Sequence, residues 1–437
     1  MIGILGGGIT GLALQHFLNE DSVVLEAADV PGGLCRTYWK DGFGYDLGGH
    51  ILFSKLQHVT DAVDALLEGN LNRCRRANKI LYNGRYVKYP FENDLAALGK
   101  EDAYECLLQY LRNDFKGDVT NLREWAYATF GSGIADKYFI PYNEKIWNVP
   151  ADALGLDFVE RIPKPPMEDV LRSALGIETE GYLHQLYFRY PTRGGVEALV
   201  QALIDEGSRI VCGAPVTSVS RSGDRWQVVA GEQSYTFDRI ISTFPIHEAI
   251  GCFPDVPDEV RAAVDGLRYN SMRIVLIAVD NDSLMDKSAV YIPDPTVITH
   301  RVCYMGFFSD QLVRPGTSSL IAEITTNPGD GVYELSDDEV VARTVRDLDR
   351  VGILRTEDVI VTDVQRVTYG YPVYTHTHRR NRAVFHDYFD SLGVELCGRF
   401  AEFDYINSDE CLNRAMQLAA RLNDQAGQGA GTGDVPC

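Results

Sequence analysis

The hydrophobic and polar pattern of the first 25 residues predicts a strand, a helix and a second strand. Ile2-Gly3-Ile4-Leu5 is a short apolar run, as expected of a strand buried on both faces of a parallel sheet. Apolar positions at helical spacing follow over residues 12–18, and Ser22-Val23-Val24-Leu25 is a second apolar run. This order of elements is typical of an α/β fold.

Farther along, helical and strand-rich regions alternate. Residues 57–70 have helical spacing, and Asn83-Gly84 joins two alternating runs within residues 79–89, which predicts a β-hairpin. Residues 239–243 form a buried run that we expect to rejoin the first sheet in parallel. The other predictions are a mostly helical stretch at residues 95–180, strands at 209–220, 225–230 and 238–243, longer strand-like runs over 270–330, a strand and turn at 396–400 and a helix at 409–423.

The glycines between the first strand and helix fit a dinucleotide-binding fingerprint. Gly6, Gly8 and Gly11 have the spacing G-x-G-x-x-G, which combines a tight turn, close approach to a pyrophosphate and close packing of helix on strand. The N-terminus of that helix, near Thr10, offers free N–H groups to phosphates. Glu26 ends the second strand, where it is placed to accept hydrogen bonds from a ribose. The pattern predicts dinucleotide binding.

The residues after Glu26 favour FAD over a nicotinamide dinucleotide. A nicotinamide enzyme would usually continue into an ordinary crossover helix, but this chain continues with Pro31-Gly32-Gly33-Leu34-Cys35-Arg36-Thr37. A backbone-rich loop with Arg36 and Thr37 can hold the phosphates and ribityl chain of an extended FAD. This arrangement resembles the amine-oxidase-like flavoprotein superfamily.

Composition limits the partners. The formal net charge of −21 argues against nucleic acid, because phosphate backbones would be repelled, and an anionic small substrate would need local arginines. No apolar run reaches the ~18–20 residues of a membrane-spanning helix, and the N-terminus lacks the basic segment of a secretion signal. We therefore expect a cytoplasmic protein with no membrane partner. The nine cysteines form no C-x-x-C pair, so no metal site is predicted.

Several longer stretches narrow the prediction. They occupy residues 45–54, 86–93, 131–136, 141–150, 188–195, 371–372 and 398–400, in order over nearly the whole chain. The most specific are Pro141-Tyr142-Asn143 with Trp147 and Pro150, and Phe188-Arg189-Tyr190-Pro191-Thr192-Arg193-Gly194-Gly195. Together these stretches resemble the UDP-galactopyranose mutases, particularly the eukaryotic type.

The resemblance implies an FAD-binding Rossmann-like domain, a helical insertion domain and an antiparallel β-sheet substrate domain. The FAD-binding domain would be discontinuous, formed by residues 1–94, 186–250 and 386–424. The helical domain, residues 95–185, would cover the nucleotide and substrate, and residues 251–385 would form the sheet domain. Residues 425–437 are Gly-rich and predicted to be a disordered tail. Family members are oligomers, which makes a homo-oligomer an expectation.

In this family the reaction interconverts UDP-galactopyranose and UDP-galactofuranose with no net redox change. Nitrogen N5 of the reduced flavin attacks the anomeric carbon and displaces UDP; the flavin–sugar adduct opens, recloses as the other ring, and UDP reattaches. The resemblance therefore implies a UDP-sugar substrate and an FAD that is reduced by NADPH or by a separate reductase. The protein would position the anomeric carbon and neutralise the diphosphate.

Substrate-binding residues are implied by the same resemblance. Arg189 and Arg301 would clamp the diphosphate, because guanidinium groups hold phosphate oxygens with paired hydrogen bonds. Tyr371 and Tyr405 would lie near the diphosphate and sugar, where a phenol can donate to an oxyanion. The uracil would lie against the helical domain, next to Tyr138, Tyr142, Asn143 and Trp147.

The flavin-facing residues are implied likewise. His50 would face the flavin and respond to its redox state, and Arg399 would lie beside it. The last helix, beginning near Ser408, would point its N-terminus at the flavin, with either Asn407 or Asp409 in the position of the family's asparagine. The cofactor set is Gly6, Gly8, Thr10, Gly11, Glu26, Gly33, Leu34, Arg36, Gly49, His50, Val216, Gly398, Arg399, Tyr405, Asn407 and Ser408. The catalytic set is His50, Arg189, Arg301, Arg399, Tyr371 and Tyr405.

Two departures from the family pattern keep alternatives open. Phe308 stands where the eukaryotic enzymes carry another substrate-contacting tyrosine, and Ile140 replaces an arginine. Both would lie near the sugar, so a mutase of a different UDP-sugar is one alternative. Another is an FAD oxidoreductase of the amine-oxidase or protoporphyrinogen-oxidase type, which would need an apolar or amine-binding cage instead of paired arginines. A flavoprotein-like scaffold without activity is the third.

Overall fold

Two large sheets organise the chain, and residues from both line one central cavity. The computed structural model describes residues 1–162, 164–179 and 186–430. It is a mixed α/β fold, as predicted. Residues 431–437 of the predicted disordered tail lie outside the described residues.

The element bounds are as follows. The strands are β1 Ile2–Leu5, β2 Ser22–Leu25, β3 Thr37–Lys40, β4 Phe43–Asp46, β5 Asn72–Arg75, β6 Asn78–Tyr82, β7 Arg85–Lys88, β8 Tyr187–Tyr190, β9 Ile210–Val211, β10 Val216–Ser222, β11 Arg225–Ala230, β12 Gln233–Phe237, β13 Arg239–Ser242, β14 Arg268–Val279, β15 Ala289–Tyr291, β16 Arg301–Tyr304, β17 Ser318–Thr326, β18 Val359–Val373 and β19 Glu395–Leu396. The helices are α1 Ile9–Phe17, α2 Gln57–Leu67, α3 Lys100–Leu111, α4 Leu122–Ile134, α5 Ile140–Trp147, α6 Met167–Ala174, α7 Glu197–Ala202, α8 Ile246–Cys252, α9 Asp258–Asp265, α10 Met305–Phe308, α11 Asp337–Arg350, α12 His378–Leu392 and α13 Ser408–Ala430.

The first sheet is parallel and has the strand order β19-β13-β1-β2-β9. The β1, β2 and β13 side chains are almost all buried because both faces of the sheet are covered. Helices α1 and α13 pack against one face, and the three-stranded sheet β10-β11-β12 packs against the other. Leu5 lies opposite Leu25 of β2 and Ser242 of β13. The expected return of residues 239–243 to this sheet is confirmed.

The second sheet has seven strands in the order β18-β14-β17-β16-β15-β6-β7, antiparallel except for the β6–β15 pair. The cross-strand register places Glu323 opposite Arg301, and Arg301 opposite Tyr291. Directly opposed residues project from the same face, so these three side chains form one row across the sheet. The predicted hairpin is confirmed in β6 and β7, with Asn83 and Gly84 at positive φ in the turn.

The helical region contains α3 to α6 and one π-helical turn, Ala135–Phe139, between α4 and α5. Gly131 interrupts α4 with a φ of 71°, and a Cβ there would lie 2.5 Å from the Gln109 carbonyl oxygen of α3. A Cβ at Gly133 would lie 2.8 Å from Cys106 Cα. The two glycines therefore allow α3 and α4 to approach closely, which explains this pair of small residues physically.

The predicted C-terminal elements are present, with one bound corrected. The strand and turn expected over residues 396–400 are β19, which ends at Leu396, and a turn in which Gly398 has a φ of 105°. The last helix continues past residue 423 to Ala430, which includes the first six residues of the predicted tail. The 78–88 hairpin belongs to the seven-stranded sheet, and α12 spans His378–Leu392. The division into domains stays a prediction.

None of the described helices is long and apolar enough to cross a membrane. Within residues 1–162, 164–179 and 186–430, no group of three or more His, Cys, Asp or Glu side chains could hold a metal ion.

Candidate cofactor and substrate cavity

A cavity of about 890 Å³ runs from the Gly-rich turn after β1 to the face of the seven-stranded sheet. Its volume lies within the range typical of cofactor and ligand pockets. Predicted cofactor residues that line it are Gly6, Gly8, Thr10, Glu26, Gly33, Leu34, Gly49, His50, Val216, Arg399, Tyr405, Asn407 and Ser408. Predicted substrate residues that line it are Arg301, Tyr371 and Tyr405.

The Gly-rich turn has the geometry that its spacing predicts. Gly6 has a φ of 113°, a conformation that only glycine adopts readily, and a Cβ at Gly11 would lie 2.0 Å from the Gly6 carbonyl oxygen. At Gly8, the N-cap of α1, the nearest heavy atom to an added Cβ is Gly33 Cα at 4.0 Å. The space in front of Gly8 is therefore open to the cavity, as the approach of a pyrophosphate requires.

Glu26 is held in place by backbone amides. The Gly7 N–H donates to Oε2 at 2.7 Å and the Ala28 N–H donates to Oε1 at 2.8 Å. Each carboxylate oxygen has a second lone pair that can accept from a hydroxyl. The position of Glu26 in the cavity therefore fits the predicted contact with a ribose.

His50 and Arg399 line the middle of the cavity, and both have a buried polar atom that finds no partner among the described residues: Nδ1 of His50 and Nε of Arg399. Burial, with the nearby charges of Arg399 and Arg301, lowers the pKa of His50 from 6.5 to about 4 against the opposing effect of Glu323. The imidazole is therefore neutral near pH 7. Buried polar atoms without partners are uncommon in folded proteins, so these two atoms fit a polar bound group such as a flavin ring.

The Arg399 guanidinium is fixed by the backbone around it. Its Nη1 donates to the Ile406 carbonyl at 2.8 Å, and its Nη2 donates to the Gly370 carbonyl at 2.9 Å. The guanidinium carbon also lies 4.7 Å from the ring centre of Tyr405 and 5.3 Å from that of Tyr371. These contacts place a positive charge and two aromatic rings together at the predicted flavin position.

At the far end of the cavity, Arg301 is paired with Glu323. Arg301 Nε donates to Oε1 at 2.9 Å and Nη2 donates to Oε2 at 2.6 Å, while the Gly49 N–H donates to Oε1 at 3.1 Å. Burial alone would raise the pKa of Glu323, but Arg301, His300 and the Gly49 N–H bring it below its usual value. The carboxylate is therefore ionised, and it compensates the charge of Arg301.

Several predicted residues do not line the cavity. Arg189, half exposed on β8, pairs through Nη2 with Asp64 of α2 at 3.2 Å. The Arg36 guanidinium lies over the Tyr38 ring, 5.0 Å from its centre. Gly11 and Gly398 act through packing: a Cβ at Gly398 would lie 2.7 Å from Thr10 Oγ1.

The residues predicted to contact uracil form a wall behind the cavity. Tyr138 stacks with both Phe91 and Tyr142, with ring centres 5.2 and 5.5 Å apart. Trp147 is 4% exposed, so it belongs to the core, and its Nε1 donates to Asn143 Oδ1 at 3.1 Å. Its ring meets the edges of Tyr371 and Tyr405. These residues support the cavity-lining tyrosines from behind.

The structure shows where Asn407, Asp409 and Phe308 lie, the residues for which the sequence left alternatives open. Asn407 and Ser408 line the cavity at the start of α13, whereas Asp409 does not. Phe308 lines the cavity, and its ring packs against Phe188 and Tyr190. The position expected to carry a tyrosine is therefore part of an apolar wall in this chain.

Residues 11–399 match the family model of the flavin containing amine oxidoreductases. The chain belongs to this family. Membership implies that the cavity binds a flavin, FAD, in agreement with the sequence prediction.

Other members and solved structures show what this flavin containing amine oxidoreductase is similar to. A curated relative, coproporphyrinogen III oxidase of Staphylococcus aureus (strain NCTC 8325 / PS 47), is 21% identical over 96% of this chain and 98% of its own. The crystal structure of reduced UDP-galactopyranose mutase has a TM-score of 0.89 at 24% identity, covering 98% of this chain and 94% of that one. A putative protoporphyrinogen oxidase from Exiguobacterium sp. 255-15 has a TM-score of 0.76 at 19% identity, covering 97% and 98%. At these identities the structural likeness shows the fold alone.

Several cavity-lining residues of this family member were not predicted from the sequence, among them Glu323, Tyr291 and Arg76. Glu323 and Tyr291 are revealed by strand register, which no local pattern encodes. Arg76 ends the basic run Arg73-Cys74-Arg75-Arg76, in which no spacing distinguishes one arginine from another.

Proposed function

We propose that the chain is a flavin-dependent nucleotide-sugar mutase that interconverts UDP-galactopyranose and UDP-galactofuranose with no net redox change. The observation that carries the proposal is the Arg301 guanidinium, which faces the cavity and is fixed by two hydrogen bonds to buried Glu323. A fixed guanidinium suits a diphosphate leaving group, whereas it would repel an amine substrate. The likeness to the fold of reduced UDP-galactopyranose mutase supports the same proposal.

The residues of the cavity would have the following roles. Reduced FAD would supply the nucleophile for the sugar. Arg301 would stabilise the charge of the departing diphosphate, and the Tyr371 and Tyr405 hydroxyls would donate to oxygens of the diphosphate or sugar. Arg399, held by two backbone carbonyls, would favour the anionic form of reduced flavin. Neutral His50 would offer a hydrogen-bonding nitrogen without adding charge.

The helical region would cover the uracil. Tyr142 contacts Tyr291, which lines the cavity, with ring centres 5.3 Å apart. Aromatic side chains next to the cavity are what base recognition requires, which supports this assignment. The predicted role of Arg189 needs a different position of its side chain, away from Asp64.

A porphyrinogen oxidase is the second candidate, because a specific observation favours it. Phe53, Phe188 and Phe308 line the cavity, and such an apolar wall suits a large flat substrate. The Staphylococcus aureus relative named above supports the same alternative over nearly the whole chain.

One experiment separates the two candidates with the same purified protein. The first sample, reduced with dithionite under anaerobic conditions, receives UDP-galactofuranose, and the product is analysed by chromatography. The second sample, in air, receives coproporphyrinogen III, and porphyrin fluorescence and oxygen consumption are recorded. We expect UDP-galactopyranose in the first sample and no porphyrin formation above the protein-free control in the second. Rapid porphyrin formation without sugar conversion would overturn the proposal.

The assay also addresses the identity of the sugar and of the reductant. UDP that perturbs the flavin spectrum, with no conversion of UDP-galactofuranose, would favour a mutase of another UDP-sugar, in line with Phe308. Replacing dithionite by NADPH tests direct reduction by a nicotinamide against a separate reductase.

A further inference from the structure

The two-arginine clamp expected from the sequence is not assembled in the cavity. Arg301 lines the cavity at the seven-stranded sheet, whereas Arg189 is paired with Asp64 at 3.2 Å and does not line it. A diphosphate spans two phosphoryl groups, each of which favours its own paired donor. A second arginine that lines the cavity would supply such a donor.

Arg76 provides a guanidinium at this place. It lies in the connection between β5, which ends at Arg75, and β6, which begins at Asn78, and it lines the same cavity as Arg301. Its backbone N–H donates to the Leu186 carbonyl at 2.8 Å, and its guanidinium carbon lies 5.3 Å from the ring centre of Phe53. Both contacts orient the residue within the cavity wall.

Tyr291 is a neighbour of Arg301 and is hydrogen-bonded to the segment that carries Arg76. It lies directly opposite Arg301 in the register of β15 and β16, and its hydroxyl accepts a hydrogen bond from Asn78 Nδ2 at 3.0 Å. Because the phenol oxygen accepts this bond, its own proton is left to donate. Asn78 is oriented in turn, since Ser288 Oγ donates to its Oδ1 at 2.6 Å.

The electrostatics agree with this arrangement. Burial raises the pKa of Tyr291, and the charges of Arg301 and Arg76 both oppose that shift. The same Arg76 charge opposes the rise that burial causes in the pKa of Tyr89, a neighbour whose ring centre is 5.0 Å from that of Tyr291. The charges of both guanidinium groups therefore act on the Tyr291 hydroxyl.

We propose that Arg76 and Arg301 together bind the substrate's diphosphate, with the Tyr291 hydroxyl donating between them. The inference rests on the proposed function for the identity of the ligand, but the anion subsite itself is a separate claim. In this arrangement Arg301 approaches the diphosphate from β16, and Arg76 approaches it from the connection between β5 and β6. Glu323 keeps Arg301 in place.

The test measures binding of UDP and of inorganic pyrophosphate to the FAD-loaded protein, read from the change in the flavin absorption spectrum. The variants are Arg76→Ala, Arg76→Lys and Tyr291→Phe. Arg73→Ala is the matched control, because Arg73 belongs to the same basic run but stacks on Tyr187 outside the cavity. FAD content and melting temperature of each variant report correct folding.

We expect Arg76→Ala to weaken binding of both ligands by at least about tenfold, the size expected for loss of a charge-assisted hydrogen bond. Arg76→Lys and Tyr291→Phe should lose less, and Arg73→Ala should bind as the unmodified protein does. If Arg76→Ala fails to retain FAD, Arg76→Lys and Tyr291→Phe decide the question, and wild-type affinity in both would overturn the inference.

The failures of the two proposals are distinguishable. Wild-type conversion of UDP-galactofuranose with unchanged UDP binding by Arg76→Ala overturns the clamp and leaves the mutase in place. Pyrophosphate binding that depends on Arg76, with no conversion of any UDP-sugar, supports the anion subsite and overturns the mutase. A protein that binds neither ligand contradicts both.

Discussion

Arg301 and Glu323 face each other across adjacent strands and share two hydrogen bonds, of 2.9 and 2.6 Å. Glu323 is fully buried, whereas Arg301 reaches the cavity. The carboxylate therefore fixes a guanidinium that would otherwise have many conformations, and the guanidinium stabilises a carboxylate that would otherwise be costly to bury. The same pair therefore contributes both to the stability of the fold and to the proposed ligand site.

The first prediction concerns removal of the buried charge. Glu323→Gln keeps the shape but leaves the Arg301 charge unmatched, so we expect the free energy of unfolding to fall by about 3 kcal/mol, as for a broken buried ion pair. Glu395→Gln is the control, since its pair with Arg421 is exposed and should contribute less than about 1 kcal/mol. Denaturant unfolding measures both. Equal losses of unfolding free energy in the two variants would show that the Arg301–Glu323 pair contributes no more to stability than an exposed pair does.

The second prediction separates the two roles of the glycines. Gly11→Ala should prevent correct folding, because its Cβ would lie 2.0 Å from the Gly6 carbonyl oxygen. Gly8→Ala should fold but lose FAD, because its Cβ enters open space in front of the turn. Melting temperature and bound-flavin absorbance distinguish the two, with Gly251→Ala, which meets no atom within 4 Å, as the tolerated control. Full FAD content in Gly8→Ala would contradict the assigned pyrophosphate position.

The third prediction is a pH dependence. The pKa of His50 is lowered from 6.5 to about 4, so the unfolded chain takes up a proton first as the pH falls. The contribution of His50 to stability is complete above pH 6.5 and is lost between pH 6.5 and 4, by about 2 kcal/mol at pH 5. His50→Gln should therefore lose less stability between pH 7 and 5 than the wild type, as measured by urea unfolding. His376→Gln, which changes an exposed histidine, should follow the wild-type curve.

The fourth prediction tests the geometry of Arg301. Arg301→Lys retains the charge but cannot make both hydrogen bonds to Glu323, so the ammonium is held less firmly in the cavity. We expect UDP binding to weaken by about 10–100-fold, corresponding to one or two lost charge-assisted hydrogen bonds. Arg355→Lys, at a surface pair with Asp358, serves as the control. Unchanged UDP affinity in Arg301→Lys would remove Arg301 from the substrate site.

The parts of the fold that were predictable are those with local causes. The apolar runs of β1 and β2 and the glycine spacing between them require only periodicity and backbone conformation, and the Asn83-Gly84 turn likewise has its cause in the two residues themselves. The missed strand β12 begins with polar residues, Gln233 and Ser234, so its pattern resembles a loop.

The rest of the site depends on contacts between distant segments. β17 is buried along its whole length, so the pattern around Glu323 indicates a core strand and not a partner for a cavity arginine. Arg189 was expected in the cavity because of its motif, but α2 places Asp64 next to it. No spacing in the sequence encodes either pairing, because each is set by how separate elements pack.

The central claim is isomerisation without net electron transfer, and its most direct test counts product molecules per electron pair. The FAD-loaded protein is reduced anaerobically with one equivalent of dithionite, mixed with excess UDP-galactofuranose, and sampled over time. The account predicts many molecules of UDP-galactopyranose per flavin, no conversion by the oxidised protein, and a flavin that is still reduced at the end. No sugar conversion by the reduced protein, or reoxidation of the flavin with at most one turnover, would contradict it.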